Sequence, residues 1–195
     1  MKTEPIKLDG KVAAPKKVAA KPTPKKAAVP KPQPSLTTEN SNNSLSSRST
    51  SRLAGVDPQL ISVTKLALKY SKVDFGITCG VRTSSEQRRL MSIGATQTYH
   101  SKHLTGDAVD VIAYVDGGYT YEPFELYITI AEAFFRAAKE LDVKIMWGSC
   151  WLDETSKFPT AAEAIEAYKV TRKAQGRKPF LDGVHFEVWD GRTHY

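Results

Sequence analysis

Four histidines stand in this chain, at 100, 103, 185 and 194, and two of them lie in short acidic segments that also contain glycine. One segment is Ser101-Lys102-His103-Leu104-Thr105-Gly106-Asp107-Ala108-Val109-Asp110, and the other is Asp182-Gly183-Val184-His185-Phe186-Glu187. Together they offer two imidazoles and a carboxylate to one cation, with a spare carboxylate beside them. Three nitrogen and oxygen ligands that leave a fourth position open suit hydrolytic zinc. An unligated acid nearby suits the activation of a water. By spacing alone, His-x6-Asp and Asp-x2-His are weak signals, and either histidine taken singly reads as well as a core or surface residue. His100 competes with His103 as a ligand and His194 could be recruited from the C-terminus, although both are expected in solvent.

The elements that must carry these residues can be read from periodicity. Asp57-Pro58 places an N-cap before a proline at the first helical position. Leu60, Val63, Leu66, Ala67 and Tyr70 then recur at helical spacing to about residue 72. Residues 75–80 form a short strand. Ser84 with Gln87 resembles a capping box opening a second helix, which Gly94 stops. Residues 108–115 alternate as a strand, with Asp110, Ile112 and Tyr114 on one face and Val109, Val111 and Ala113 on the other. A turn follows at Asp116-Gly117-Gly118, then the longest amphipathic helix over 124–141. Strands at 143–147 and 185–189 flank a further helix over 160–175. If the last strand pairs antiparallel with 108–115, His185 comes level with Asp110. Glu187 then shares the face of His185 and can accept a hydrogen bond from a ligand imidazole. Asp182 sits just ahead of that strand, near enough to touch a water on the metal. Helices and strands mix without a regular βαβ rhythm, so the expected class is α+β with a small antiparallel sheet and flanking helices.

Charge divides the chain in two. Residues 1–52 hold 11 Lys/Arg against 3 Asp/Glu, leaving 17 Lys/Arg against 18 Asp/Glu in residues 53–195. The basic character therefore belongs to the N-terminal part, and a nucleic-acid enzyme would more often carry it on the folded surface. Residues 2–34 are rich in Lys, Ala, Pro and Val, and residues 35–52 in Ser, Thr and Asn. Neither stretch can bury enough apolar surface to offset its ordering entropy, so 1–52 is expected to be a disordered tail and linker before a domain at 53–195. Such a tail could attract anionic envelope polymers, or serve simply as a solubilising leader. No apolar leader follows Met1, and no run approaches the length of a membrane span. The expectation is synthesis in the cytoplasm without a Sec-type signal peptide. Cys79 and Cys150 are too few for a disulfide scaffold; buried free thiols are expected, with a single bridge between them as the alternative.

The residues from Ile77 to Glu187 resemble the zinc D-alanyl-D-alanine peptidase family, which includes D,D-carboxypeptidases, dipeptidases and phage endolysins that cut L-alanyl–D-glutamate bonds. The pattern Ser-x-His-x-x-Gly-x-Ala-x-Asp is met by Ser101, His103, Gly106, Ala108 and Asp110. Asp-Gly-Pro-His-Phe-Glu is met except at Val184. Gly80-Val81-Arg82 followed by Gln87, and Trp147-Gly148 ahead of Trp151, are similar to two further elements. The wording His-Leu-Thr-Gly-x-Ala-Val-Asp is nearest the phage endolysin branch.

The resemblance implies a hedgehog/D,D-peptidase-like fold and Zn2+ held by His103, Asp110 and His185. It implies Asp182 as general base and Arg82 as the binder of a substrate carboxylate or oxyanion, with Ser101, Gln87, Glu187 and Trp147 around them as supporting or substrate-facing residues. Zinc at about 2.0–2.2 Å from such ligands lowers the pKa of a bound water toward about 7. The implied activity is cleavage of a peptidoglycan stem-peptide bond, most specifically L-Ala–D-Glu, by a monomeric bacteriophage endolysin. Such an enzyme reaches the wall after release from the host cytoplasm or from a virion. The alternatives are a D-Ala-D-Ala carboxypeptidase, or a non-catalytic virion or wall-binding protein working through its basic tail; no specific nucleic acid is expected. Val184 and Asp107 depart from the family wording. The segment 152–180 exceeds the shortest members, and it reads either as a lid or specificity wall or as an inert insertion.

Overall fold

Alternation along one strand decides the architecture. Val109, Val111 and Ala113 are fully buried on one face of it, whereas Asp110 on the other face stays half-buried. The structure is a computed structural model that describes residues 44–96 and 98–192; the expectations for residues 1–43 and for His194 fall outside them. In chain order the helices and strands are α1 (Ser47–Arg52), α2 (Pro58–Tyr70), β1 (Asp74–Cys79), α3 (Ser84–Ser92), β2 (Ala108–Val115), β3 (Gly118–Thr120), α4 (Glu125–Glu140), β4 (Ile145–Trp147), α5 (Ala161–Ala174) and β5 (His185–Val188). Single 3-10 turns lie at Lys102–Leu104 and Thr155–Lys157.

The strands form one antiparallel sheet in the order β1-β2-β5-β4, with β3 also paired to β2. This is the expected α+β class. Helices α2 and α4 pack together on the side of the sheet that carries Phe75, Ile77, Val109, Val111, Ile145 and Phe186. Phe186 stacks on Phe134 of α4 with ring centroids 3.8 Å apart. Full burial of a phenylalanine contributes about 1.5–3 kcal/mol, so this contact anchors β5 firmly. The opposite face, bearing Asp110, His185 and Glu187, is left for chemistry. No helix among the described residues is long and apolar enough to cross a membrane.

Two local expectations are corrected, and that of two buried free thiols is met except for the partial exposure of Cys79. Residues 47–52 were expected to belong to a disordered linker, yet they form α1 against β1. Their polar composition hides the reason. Ser46 caps the helix, the buried Ser49 Oγ accepts from the Ile77 amide at 3.1 Å, and Arg52 donates to the Ile77 carbonyl at 2.6 Å. These side chains satisfy the outer edge of β1, which no further strand among the described residues covers. The cap of α3 is one residue earlier than expected: Thr83 and Glu86, not Ser84 and Gln87, make the reciprocal capping box. The two cysteines are free, Cys150 buried and Cys79 only partly so.

Candidate active site

Asp110 lies where three strands meet. Across β2 its register partners are Cys79 of β1 on one side and His185 of β5 on the other. Side chains level with one another on adjacent strands share a face, so the sheet itself brings thiol, carboxylate and imidazole together. His103 joins them from the 3-10 turn before β2, where the Ser101 hydroxyl caps the turn and accepts from the His103 amide at 3.4 Å. The Arg82 amide donates to the His103 carbonyl at 2.9 Å, tying this turn to the loop after β1.

Both imidazoles point a ring nitrogen at the same oxygen. His103 Nε2 lies 3.1 Å and His185 Nδ1 3.0 Å from Asp110 Oδ1. The outer nitrogens are held as well: His103 Nδ1 is 2.7 Å from the Gly80 carbonyl, and His185 Nε2 is 3.0 Å from Glu187 Oε2. A carbonyl or carboxylate oxygen only accepts, so each outer nitrogen carries the proton. A neutral ring then aims its inner lone pair at a carboxylate. Three lone-pair donors converge, and only protons or a cation between them reconcile the arrangement.

The titration behaviour follows. Burial by itself would lower the His103 pKa, but hydrogen bonding to Asp110 and Cys79 overrides it and lifts the value to about 9. For His185, burial is likewise overridden, by Asp110 and Glu187, and the pKa rises to about 10. Burial opposes ionisation of Asp110, yet the two histidines hold its carboxyl far below the usual range.

Arg82 approaches from the side. Its Nη2 is 3.4 Å from Asp110 Oδ2 and 3.5 Å from Cys79 Sγ, and its Nη1 donates to Gln87 Oε1 at 2.8 Å. Gln87 is buried and donates onward to the Thr98 carbonyl at 2.6 Å, so it fixes Arg82 from behind. Asp182 lines the same cleft, of about 730 Å3, and burial pushes its carboxyl pKa above the ordinary value. It is placed by close backbone approach. The Asp182 amide donates to the Gly148 carbonyl at 2.9 Å, and the Gly148 amide to the His185 carbonyl at 2.8 Å. A Cβ on Gly148 would stand 2.5 Å from the Asp182 carbonyl oxygen and 3.0 Å from both the Asp182 and His185 Cβ atoms.

The expected residues are thus brought together, with Trp147 standing behind the cleft and not in its lining. Trp147 does not reach the cleft: it is fully buried in the core, where its Nε1 donates to the Gly183 carbonyl at 3.0 Å and steadies the turn carrying Asp182. Trp151 lines the cleft instead, its ring centroid 5.5 Å from that of His185. His100, expected in solvent, is exposed but sits on the cleft rim.

Cys79 was not singled out from the sequence, where neither cysteine has a histidine nearby. Its Sγ, a His103 nitrogen and an Asp110 oxygen lie within 4.8 Å of one another, a grouping able to hold a metal ion. Burial raises the Cys79 pKa, but the hydrogen bond to His103 and the Arg82 charge outweigh it and leave it lowered. The signal was two-dimensional, a register partner of Asp110, and hence invisible to spacing along the chain.

The segment after β4 supplies the remaining wall. Tyr168, Arg172, Arg177 and Phe180 line the cleft. Trp151 Nε1 donates to the Phe180 carbonyl at 3.1 Å and the two rings stack, so this wall is fastened beside the site.

Residues 42–188 match the phage L-alanyl-D-glutamate peptidase family, a span that includes α1. An L-alanyl-D-glutamate peptidase of Escherichia phage T5 is 35% identical over 103 residues, covering 51% of this chain and 75% of that protein. The crystal structure of the Serratia marcescens L-Ala D-Glu endopeptidase ChiX is similar with a TM-score of 0.56 and 32% identity, over 78% of this chain and 96% of that one.

Proposed function

The chain belongs to the phage L-alanyl-D-glutamate peptidase family, and from that we propose that it is a zinc-dependent endolysin hydrolysing the L-Ala–D-Glu bond of peptidoglycan stem peptides. The observation that carries the reading is the shared oxygen of Asp110, faced by two imidazole nitrogens whose outer partners each hold a ring proton, so that the inner nitrogens can give their lone pairs to an ion that replaces the protons between them. His103, Asp110 and His185 would hold the ion. Their donor set is two nitrogens and an oxygen, which zinc accepts in catalytic sites. The observed separations of 3.0 and 3.1 Å are near the roughly 3.3–3.6 Å that neighbouring ligands keep around tetrahedral zinc with bonds of about 2.0–2.2 Å. When bound, zinc supplies a Lewis acid that polarises the scissile carbonyl and makes a water acidic enough to attack it.

The protein side chains do the rest. Asp182, its proton affinity raised by burial, takes the proton from the attacking water and returns it to the leaving amine. Arg82, held by Gln87, offers guanidinium N–H groups to the oxyanion that develops on the substrate carbonyl. Glu187 keeps the outer nitrogen of His185 protonated and so keeps its inner lone pair pointed at the ion. The enzyme meets the wall after release from the host or from a virion, and the basic residues 1–43 would draw it toward anionic envelope polymers.

Digestion of purified peptidoglycan, followed by mass spectrometry of the fragments, tests the reading. New N-terminal D-Glu, lost with a chelator and restored by zinc, is the expected result. Release of free D-Ala instead would assign a carboxypeptidase, and intact walls with zinc-loaded protein would leave only a binding role.

A further inference from the structure

The cleft carries more positive charge than the proposed chemistry uses. Among its lining cations, Arg82 is paired with Asp110 and Lys102 with Asp190. Arg172 and Arg177 also line it, and among the described residues neither has a carboxylate within ion-pair distance.

Their placement is built by the end of α5. The Gly176 amide donates to the Lys173 carbonyl at 3.0 Å, and the Arg177 amide to the Arg172 carbonyl at 2.9 Å. With Gly176 at φ +67° this is a Schellman motif, and it folds Arg177 back beside Arg172. The Arg172 guanidinium donates Nε and Nη2 to the Lys178 carbonyl, each at 3.2 Å, and lies 6.0 Å from the Tyr168 ring centroid. Half of its fork is therefore fixed by backbone, while Nη1 remains to meet a ligand. A guanidinium already held in place loses less entropy on binding a carboxylate than a free one. The Tyr168 hydroxyl accepts from the Phe180 amide at 3.4 Å, and Trp151 holds Phe180 from the His185 side. The wall and the reacting centre are consequently parts of one packed unit.

Resting on the peptidase reading above, we propose that Arg172 and Arg177 form a carboxylate-binding wall that selects stem peptides with free acidic groups. Glutamate has two carboxyl groups. At most one continues the peptide chain, so the residue after the scissile bond always presents another, either as a carboxylate or, where the wall is modified, as an amide. A guanidinium wall distinguishes these two, since an amide oxygen can accept from it but lacks the opposite charge and the bidentate pairing that a carboxylate offers. The arginines also suit the negative end of the α5 dipole, a role that would be indifferent to substrate charge.

The test uses the full chain, loaded with zinc, and two L-Ala–D-Glu peptides that differ only in having their side carboxylates free or amidated. For the wild type, kcat/KM should fall about tenfold on amidation, mostly through KM. The Arg172→Gln/Arg177→Gln double variant should lose about tenfold on the free peptide and show no further loss on the amide. Arg177→Gln alone, which leaves the Arg172 contacts intact, should show an intermediate preference. A double variant that keeps the full wild-type preference overturns the proposal. Calorimetric binding of both peptides to the Asp182→Asn protein separates it from the activity reading. Tighter binding of the free acid with no cleavage by wild type removes the peptidase assignment and keeps the arginine wall, whereas equal binding of the two peptides removes the wall.

Discussion

Asp110 and His185 are register partners on adjacent antiparallel strands, and Oδ1 of the first stands 3.0 Å from Nδ1 of the second. The sheet sets this distance, because the strands keep the two Cα atoms level and the Phe186–Phe134 stack fixes β5 from behind. The pairing is therefore as rigid as the core beneath it. Rigidity of this kind lets a site hold two lone-pair donors close to a carboxylate before any ion arrives.

The choice between two metal groupings is testable. His185→Ala should abolish stoichiometric zinc binding, while Cys79→Ser should keep it, because the thiol faces the Arg82 side and His185 has an outer carboxylate to orient it. Metal content after dialysis against dilute zinc, read by atomic emission, decides. Loss of zinc in the Cys79→Ser protein together with retention in His185→Ala would move the site to Cys79, His103 and Asp110.

Asp182→Asn should keep both the fold and the zinc yet lower kcat by about 10²- to 10⁴-fold, the range that a positioned proton carrier supplies. Its backbone contacts to Gly148 do not involve the carboxylate and survive the change. Turnover on wall fragments, measured beside zinc content, gives the answer; near-normal kcat would exclude Asp182 as the proton carrier.

In chelator, stability should depend on pH in a defined direction. His103 and His185 have folded pKa values of about 9 and about 10, against roughly 6.5 when unfolded. The folded state binds more protons between those limits, so stability is fully present below about pH 6.5 and drains away as pH rises through 9 to 10. The Asp110 carboxyl, held low, contributes in the opposite sense, and its share is lost only in acid. Zinc replaces the protons and should flatten the alkaline decline. Thermal melts from pH 6 to 10, with and without zinc, should diverge as pH rises; parallel melts would show that no protons sit between the rings and Asp110.

Much of this was legible in the residues. The alternation of 108–115 and the short last strand gave the Asp110–His185 pairing, since both follow from a period of two. The helices at 58–70 and 125–140 carried clear apolar stripes. What escaped was set by contacts remote in sequence. Polar α1 is a helix because Ser49 and Arg52 satisfy the β1 backbone, a role that composition cannot reveal. Trp147 read as either supporting or substrate-facing, and its strand turns it into the core, which leaves it behind the turn that carries Asp182. Cys79 comes beside His103 and Asp110 only through strand register, and the Arg172–Arg177 pair reaches the cleft only through a helix cap.

Gly148 offers the sharpest separation of positioning from stability. A methyl there would meet the Asp182 carbonyl oxygen at 2.5 Å and the Cβ atoms of Asp182 and His185 at 3.0 Å, and each of these belongs to backbone or to the root of a side chain, not to a flexible tip. Something must shift, and overpacking of this kind costs about 1–3 kcal/mol. The shift falls on the two residues assigned the proton and the ion, and a misplacement of about 1 Å can cost about 10²-fold in rate. Gly148→Ala should therefore remain folded with a modestly lower Tm but lose about 100-fold in kcat, with zinc affinity also reduced because His185 is displaced. Calorimetry gives the first quantity and turnover at saturating zinc the second. If kcat at saturating zinc were unchanged, the Gly148 approach would not be what positions Asp182.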